Sequence, residues 1–147
     1  MMRARSLRRL LLALLGLAAL FFSSCEGFDR GELHRKVGTV QAVSAEGALL
    51  AHEVALDRSK DSFVSVHAED LAGVADEVTA KLQETVEEGG VPAELRKPVQ
   101  RTIVLSGDAS DDLEALAVNR RNPPRAARLE ERLRRVSDLA GRLLDEL

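Results

Sequence analysis

The sequence predicts an all-α protein, an antiparallel bundle of about four helices that follows a cleaved signal peptide. Three observations lead there. Apolar side chains recur at spacings of three and four, the period of one helix face, in successive segments after residue 30. Aromatic residues are only 3% of the 147 positions and β-branched residues are few, which disfavours a β-sandwich or barrel. Gly89-Gly90 and Asn122-Pro123-Pro124 divide the apolar stripes where helices are expected to stop.

The first predicted helix covers about residues 31–57. Leu33, Val37, Val40, Val43, Gly47, Leu50 and Val54 follow one helical stripe. Gly38 and Gly47 each cost about 1 kcal/mol relative to Ala in a helix, so a close crossing or a bend is expected there. The polar run from Asp57 to Ser62 reads as a turn rich in capping residues. A second helix follows over about 62–88, with Phe63, His67, Leu71, Val74, Val78, Leu82 and Val86 on its predicted inner face. Gly89-Gly90 ends it, and Pro92 suits the first turn of the next helix.

Leu95, Val99 and Ile103 define a third helix, with Pro98 predicted to kink it. Gly107-Asp108 is expected to break it, and Asp108 to cap a separate short helix over about 109–120 that carries Leu113 and Leu116. The last helix, from about 124 to the end, is the clearest. Leu129, Leu133, Val136, Ala140, Leu143 and Leu147 are spaced 4-3-4-3-4. About 115 residues are enough for one such core.

Ahead of the bundle stands a leader. Residues 1–9 carry four arginines and no acid, Leu10 to Phe22 are thirteen apolar or glycine positions, and Ser23-Ser24-Cys25 follow. This is the layout of a secretory signal peptide. Thirteen helical residues span roughly 20 Å against about 30 Å of bilayer core, too short for a permanent span.

The stretch Leu20-Phe21-Phe22-Ser23-Ser24-Cys25 resembles the lipobox of bacterial lipoproteins, with Phe22 where Leu is usual. The resemblance implies cleavage before Cys25, the chain's single cysteine, and lipidation of that residue. It covers the first 25 residues only, and no family is recognised for the rest. Several acyl chains, at about 0.8 kcal/mol per buried methylene, would give lasting attachment. The expected organisation is therefore a signal peptide over 1–24, a tether over 25–31 and a helical domain over 32–147. The expected location is the cell envelope, on the periplasmic or outer face of a membrane. Glu26 stands where the family uses Asp to favour inner-membrane retention, so an outer membrane is the expected address in a cell that has one.

Without the leader the chain carries 17 basic and 24 acidic residues, a net −7. Residues 26–118 are net −10 and residues 119–147 are net +3. Arg121, Arg125, Arg128, Arg132 and Arg135 repeat at helical spacing on the last helix and make a candidate partner-binding stripe. An exported address argues against nucleic acid, the usual partner of such a stripe. An envelope protein, an anionic polymer or anionic headgroups suit it better. Pairing with the acidic part of the same chain is the plainer reading.

Two histidines supply the competing functional reading. If the first two helices form a hairpin centred on Ser59 and Lys60, His52 and His67 lie at the same height. Asp70 follows His67 by three residues on the same face. Such a trio suits zinc or copper, or a pH-sensitive latch. The plainer reading has His67 at the core edge and His52 in solvent. No Gly-x-Ser-x-Gly elbow, Gly-rich phosphate loop or Glu-x-x-His pair occurs. Asp111-Asp112 and Glu87-Glu88 read as helix-start and helix-end surface charges. The sequence thus predicts a non-enzymatic envelope interaction module without a cofactor. A metal-binding or pH-sensing bundle is the alternative.

Overall fold

The computed structural model describes residues 28–147. The leader and Cys25 lie outside the described residues. Four long helices make up the described chain: α1 (Arg30–Ala55), α2 (Asp61–Glu87), α3 (Arg96–Val118) and α4 (Pro123–Glu146), with one 3₁₀ turn, Ala93–Leu95, ahead of α3. None is long and apolar enough to cross a membrane.

Each boundary has a local cause. Asp29 caps α1 by accepting a hydrogen bond from the Glu32 N–H at 2.7 Å, with Glu32 three residues on, where an acid favours the positive helix end. Both α1 and α2 end in Schellman motifs. After α1, Arg58 N–H reaches the Glu53 carbonyl and Asp57 N–H reaches that of Val54, with Asp57 at a φ of 55°. After α2, Gly90 and Gly89 donate to Thr85 and Val86, with Gly89 at a φ of 72°. Asn122 caps α4 by accepting from the Arg125 N–H at 3.1 Å, and Pro123 and Pro124 occupy positions where no donor is needed.

The third helix corrects the sequence reading. Residues 96–118 form one uninterrupted helix that runs through Gly107-Asp108. Pro98 falls in its first turn, where a missing N–H removes no helical bond, so it does not kink the helix. Gly107 has open space around it and no unusual φ, so nothing about the backbone demands a break there. The packed domain also begins before the expected residue 32: Phe28 is buried in the core, and α1 already includes Arg30 and Gly31.

The helices run up, down, up, down. Arg30 Nη1 donates to the Leu147 carbonyl at 2.7 Å, so α1 begins beside the end of α4. The Ser137 hydroxyl donates to the Gln41 carbonyl at 3.2 Å further along the same pair. In α2 and α3, Ser106 donates to the Ala75 carbonyl at 2.7 Å. Here Ala68, Ala72 and Ala75 meet the small inner face of α3, which includes Ser106, Ala109 and Ser110. Contacts are densest between α1 and α4 and between α2 and α3; the sequence-adjacent α1 and α2 touch much less.

The predicted stripes of α1 and α4 are the buried ones. That of α2 is rotated. Its buried face is Val64, Ala68, Leu71, Ala75, Val78 and Leu82, whereas Phe63 is 57% exposed and Val74 and Val86 are also exposed. Alanines fill the seam, so the larger apolar residues were misleading about its phase. The core falls into a larger cluster near the ends that hold Phe28 and Leu143, and a smaller one around Leu50, Val54, Leu116 and Leu129. Gly47 permits the close approach of α1 to α3 and α4: a Cβ there would stand 2.5 Å from Leu113 Cδ2 and 3.3 Å from Leu133 Cδ1.

Candidate functional site

The arginine stripe of α4 is exposed but not uniformly available. Arg121, in the turn before α4, pairs with Asp61 at the start of α2. Arg132 Nη2 lies 2.8 Å from Asp112 Oδ1 on α3. Arg135 lies 3.3 Å from Glu131, and its neighbour Arg134 lies 2.6 Å from Glu130, both pairs within α4. Arg120 donates to the Ala117 carbonyl at 3.1 Å. Among the described residues, only Arg125 and Arg128 of the predicted stripe have no ion-pair partner. Pairing with the acidic part of the chain thus holds for two of the five, Arg121 and Arg132, while Arg135 pairs within α4.

Arg125 and Arg128 lie one turn apart at the start of α4, on the same face. The first turn there has no acidic residue, and the helix dipole adds partial positive charge. From Arg125 to Glu146 the helix rises about 32 Å, so the free arginines sit far from the end where α1 enters the bundle.

Asp112 was not recognised as special from the sequence. It is 2% exposed, and Oδ2 has no hydrogen-bond partner. Burial pushes its carboxyl above the ordinary aspartate value; Arg132 opposes that shift, while Asp108 and Asp111 add to it. The expected surface charge at the start of a short helix is instead a buried charge in the middle of a long one. A usable signal existed. Asp112 is three residues after Ala109 and four before Leu116, on the inward phase of α3.

The histidines do not form a shared site. His52 Nδ1 lies 3.2 Å from both carboxylate oxygens of Glu130 on α4. His67 Nε2 lies 2.8 Å from Glu46 on α1 and stacks on Phe63 with ring centroids 5.3 Å apart. Asp70 is exposed on α2. Each imidazole has its own carboxylate, on a different helix, and no group of three or more His, Cys, Asp or Glu among the described residues has metal-site geometry. The predicted ligand set of His52, His67 and Asp70 is therefore corrected to two separate His–Glu pairs. The cause is packing: α1 turns the His52 side toward α4, not toward α2.

Comparison with protein families, with curated proteins and with solved structures finds no match to this chain.

Proposed function

We propose that this protein is a lipid-anchored cell-envelope lipoprotein that acts as a non-enzymatic interaction module. Cys25 carries the lipid, and the four helices hold Arg125 and Arg128 toward an acidic envelope protein or anionic polymer. The observation that carries the reading is the separation of the two ends. Phe28, three residues after Cys25, is packed into the core at the end where Arg30 binds Leu147. The two unpaired arginines of the stripe, Arg125 and Arg128, begin the same α4 about 32 Å away. An anchor at one end and this pair of cations at the other suit a partner lying away from the anchoring bilayer.

The test has two arms in cells making the tagged full chain. Cys25→Ala is expected to move the protein from the membrane fraction to the soluble one; unchanged membrane attachment would remove the anchor. Crosslinking followed by mass spectrometry is expected to capture one dominant acidic partner that is lost with Arg125→Ser/Arg128→Ser. Equal capture by both forms would remove the arginine face from the proposal.

A further inference from the structure

The four helices divide into two pairs. Packing is closest between α1 and α4 and between α2 and α3. Hydroxyl-to-backbone hydrogen bonds tie the helices inside each pair: Ser106 and Ser110 donate to α2, and Ser137 donates to α1. The polar contacts that cross from one pair to the other differ in kind. Among the described residues they are all between ionisable side chains: Arg121 with Asp61, Arg132 with Asp112, His67 with Glu46, and Arg101 with Glu146.

The connections follow the same division. Residues 56–60 join α1 to α2 and residues 119–122 join α3 to α4, both at one end of the bundle. Residues 88–95 join α2 to α3 inside a pair. At the end where α1 begins, no connection among the described residues crosses the seam between the pairs. The ionic ties are also uneven. Arg121 and Asp61 meet at the connected end, and Asp112 and His67 each stand six residues from that end of their helices. The other half of the seam has the Arg101–Glu146 pair, with side chains 62% and 59% exposed, a kind worth little in water. There α3 and α4 also leave a groove of about 350 Å³ between Val104 and Leu139. Closing the seam buries Asp112 Oδ2 without a partner, and parting it gives that oxygen water. Against opening stands the larger apolar cluster, whose burial keeps the closed form dominant.

We propose that the bundle is a hinged device. The α1/α4 pair and the α2/α3 pair separate at the end where α1 begins, turning about residues 56–60 and 119–122, and the ion pairs across the seam set how often they part. The open form is a minor native state that uncovers the larger apolar cluster. A few loop residues absorb the motion, so no helix unwinds. The device depends neither on lipidation of Cys25 nor on the arginine face.

The test measures thiol exposure in the purified full chain with Cys25→Ser, one introduced cysteine at a time. Val37→Cys on α1 and Val78→Cys on α2 report the larger cluster from both sides of the seam. Val54→Cys and Val64→Cys report the smaller cluster beside the connecting loops. All four valines are at most 4% exposed. Each rate of reaction with a maleimide is divided by the rate of the same chain unfolded in urea. Val37→Cys and Val78→Cys are expected to react equally, and about ten-fold faster than Val54→Cys and Val64→Cys. Arg101→Gln/Glu146→Gln should speed the first two about three-fold. Ser106→Ala breaks a contact inside a pair, which survives in the open form. It should speed Val54→Cys and Val64→Cys about five-fold and leave Val37→Cys and Val78→Cys unchanged. Val40→Cys and Val99→Cys replace the first two reporters where circular dichroism shows lost helix. Equal protection at all four sites would overturn the hinge, because the bundle would then open as one unit. Fast reaction at Val37→Cys with Val78→Cys protected would overturn it too, as fraying of α1 alone. So would a Ser106→Ala effect that is equal at all four sites. No acceleration from Arg101→Gln/Glu146→Gln would remove the ion pairs as its control.

Discussion

Arg132 reaches across from α4 to Asp112 on α3, placing Nη2 2.8 Å from a carboxylate whose side chain is only 3% exposed. The pair is asymmetric, because the guanidinium is 61% exposed and the carboxylate buried. Removing the two partners should therefore have unequal effects. Arg132→Ala leaves a buried charge with no counterion and is expected to destabilise by about 2 kcal/mol at pH 7. Adding Asp112→Asn to that variant should recover much of the loss. The pH dependence follows from the raised carboxyl of Asp112. The folded chain holds this proton at pH values where the unfolded chain has released it. Asp112 thus lowers stability as pH rises from about 4 through its folded value, and has no such effect below the unfolded value. Denaturant melts of the parent, Arg132→Ala, Asp112→Asn and the double variant at pH 4 and pH 7 check both points. An Arg132→Ala loss as large at pH 4 as at pH 7 would contradict this account.

Two glycines with the same helical propensity should respond to alanine in opposite directions. Gly47 faces Leu113 Cδ2 at 2.5 Å from an added Cβ, and Leu133 closes the other side at 3.3 Å. Gly47→Ala must displace a buried leucine at the junction of the two core clusters, a loss of about 1–3 kcal/mol. Gly107 meets nothing within 4 Å and lies inside α3. Gly107→Ala should gain about 1 kcal/mol through helix propensity. Thermal melts decide it, and a stabilised Gly47→Ala would mean that α1, α3 and α4 are less closely packed than described.

How much of this was legible before the structure depended on which residues fill each seam. In α1 and α4 the leucines and valines themselves lie on the buried stripe, so spacing alone located it. In α2 the seam is partly alanine, and Phe63 and Val74 outside it gave the wrong rotation. In α3 the inward face includes Thr102, Ser106, Ser110 and Asp112, polar residues that conceal a helical period. Ser106 is accommodated because its hydroxyl finds the Ala75 carbonyl. Glycine and proline were overweighted: Gly107 is harmless inside a helix held by tertiary packing, and Pro98 is harmless in a first turn. Helix pairing was the remaining gap. The expected histidine site assumed that α1 faces α2 most closely, and periodicity carries no information on that choice.

The two Schellman turns form an internal comparison of left-handed residues. Gly89 adopts its φ of 72° without a Cβ, whereas Asp57 adopts 55° with one. A left-handed conformation costs roughly 1–2 kcal/mol for most residues and less for Asp. Asp57→Gly is therefore expected to gain about 0.5–1 kcal/mol, and Gly89→Ala to lose about 1 kcal/mol. Both effects belong to loops outside the helices, so they should add within a few tenths of a kcal/mol in the double variant. Chemical denaturation of the single and double variants measures this. A destabilised Asp57→Gly would show that its carboxylate does more than occupy the turn.

The division within the arginine stripe predicts which substitutions separate partner binding from folding. Arg125 and Arg128 are exposed and have no ion-pair partner among the described residues, so Arg125→Ser/Arg128→Ser should alter stability by no more than about 0.5 kcal/mol. Arg121→Ser removes one exposed pair to Asp61 and should have a similarly small effect. Replacing Arg121, Arg125, Arg128, Arg132 and Arg135 together is different, because it strips Asp112 of its counterion. That five-fold variant should unfold at a lower temperature for the reason Arg132→Ala does, and any loss of partner capture in it would confound binding with folding. The two-site variant is the informative one. Melting curves recorded beside the crosslinking experiment should show the two-site chain matching the parent and the five-site chain falling below it. A two-site variant that melts early would mean that Arg125 or Arg128 supports the bundle, and would remove them as free cations.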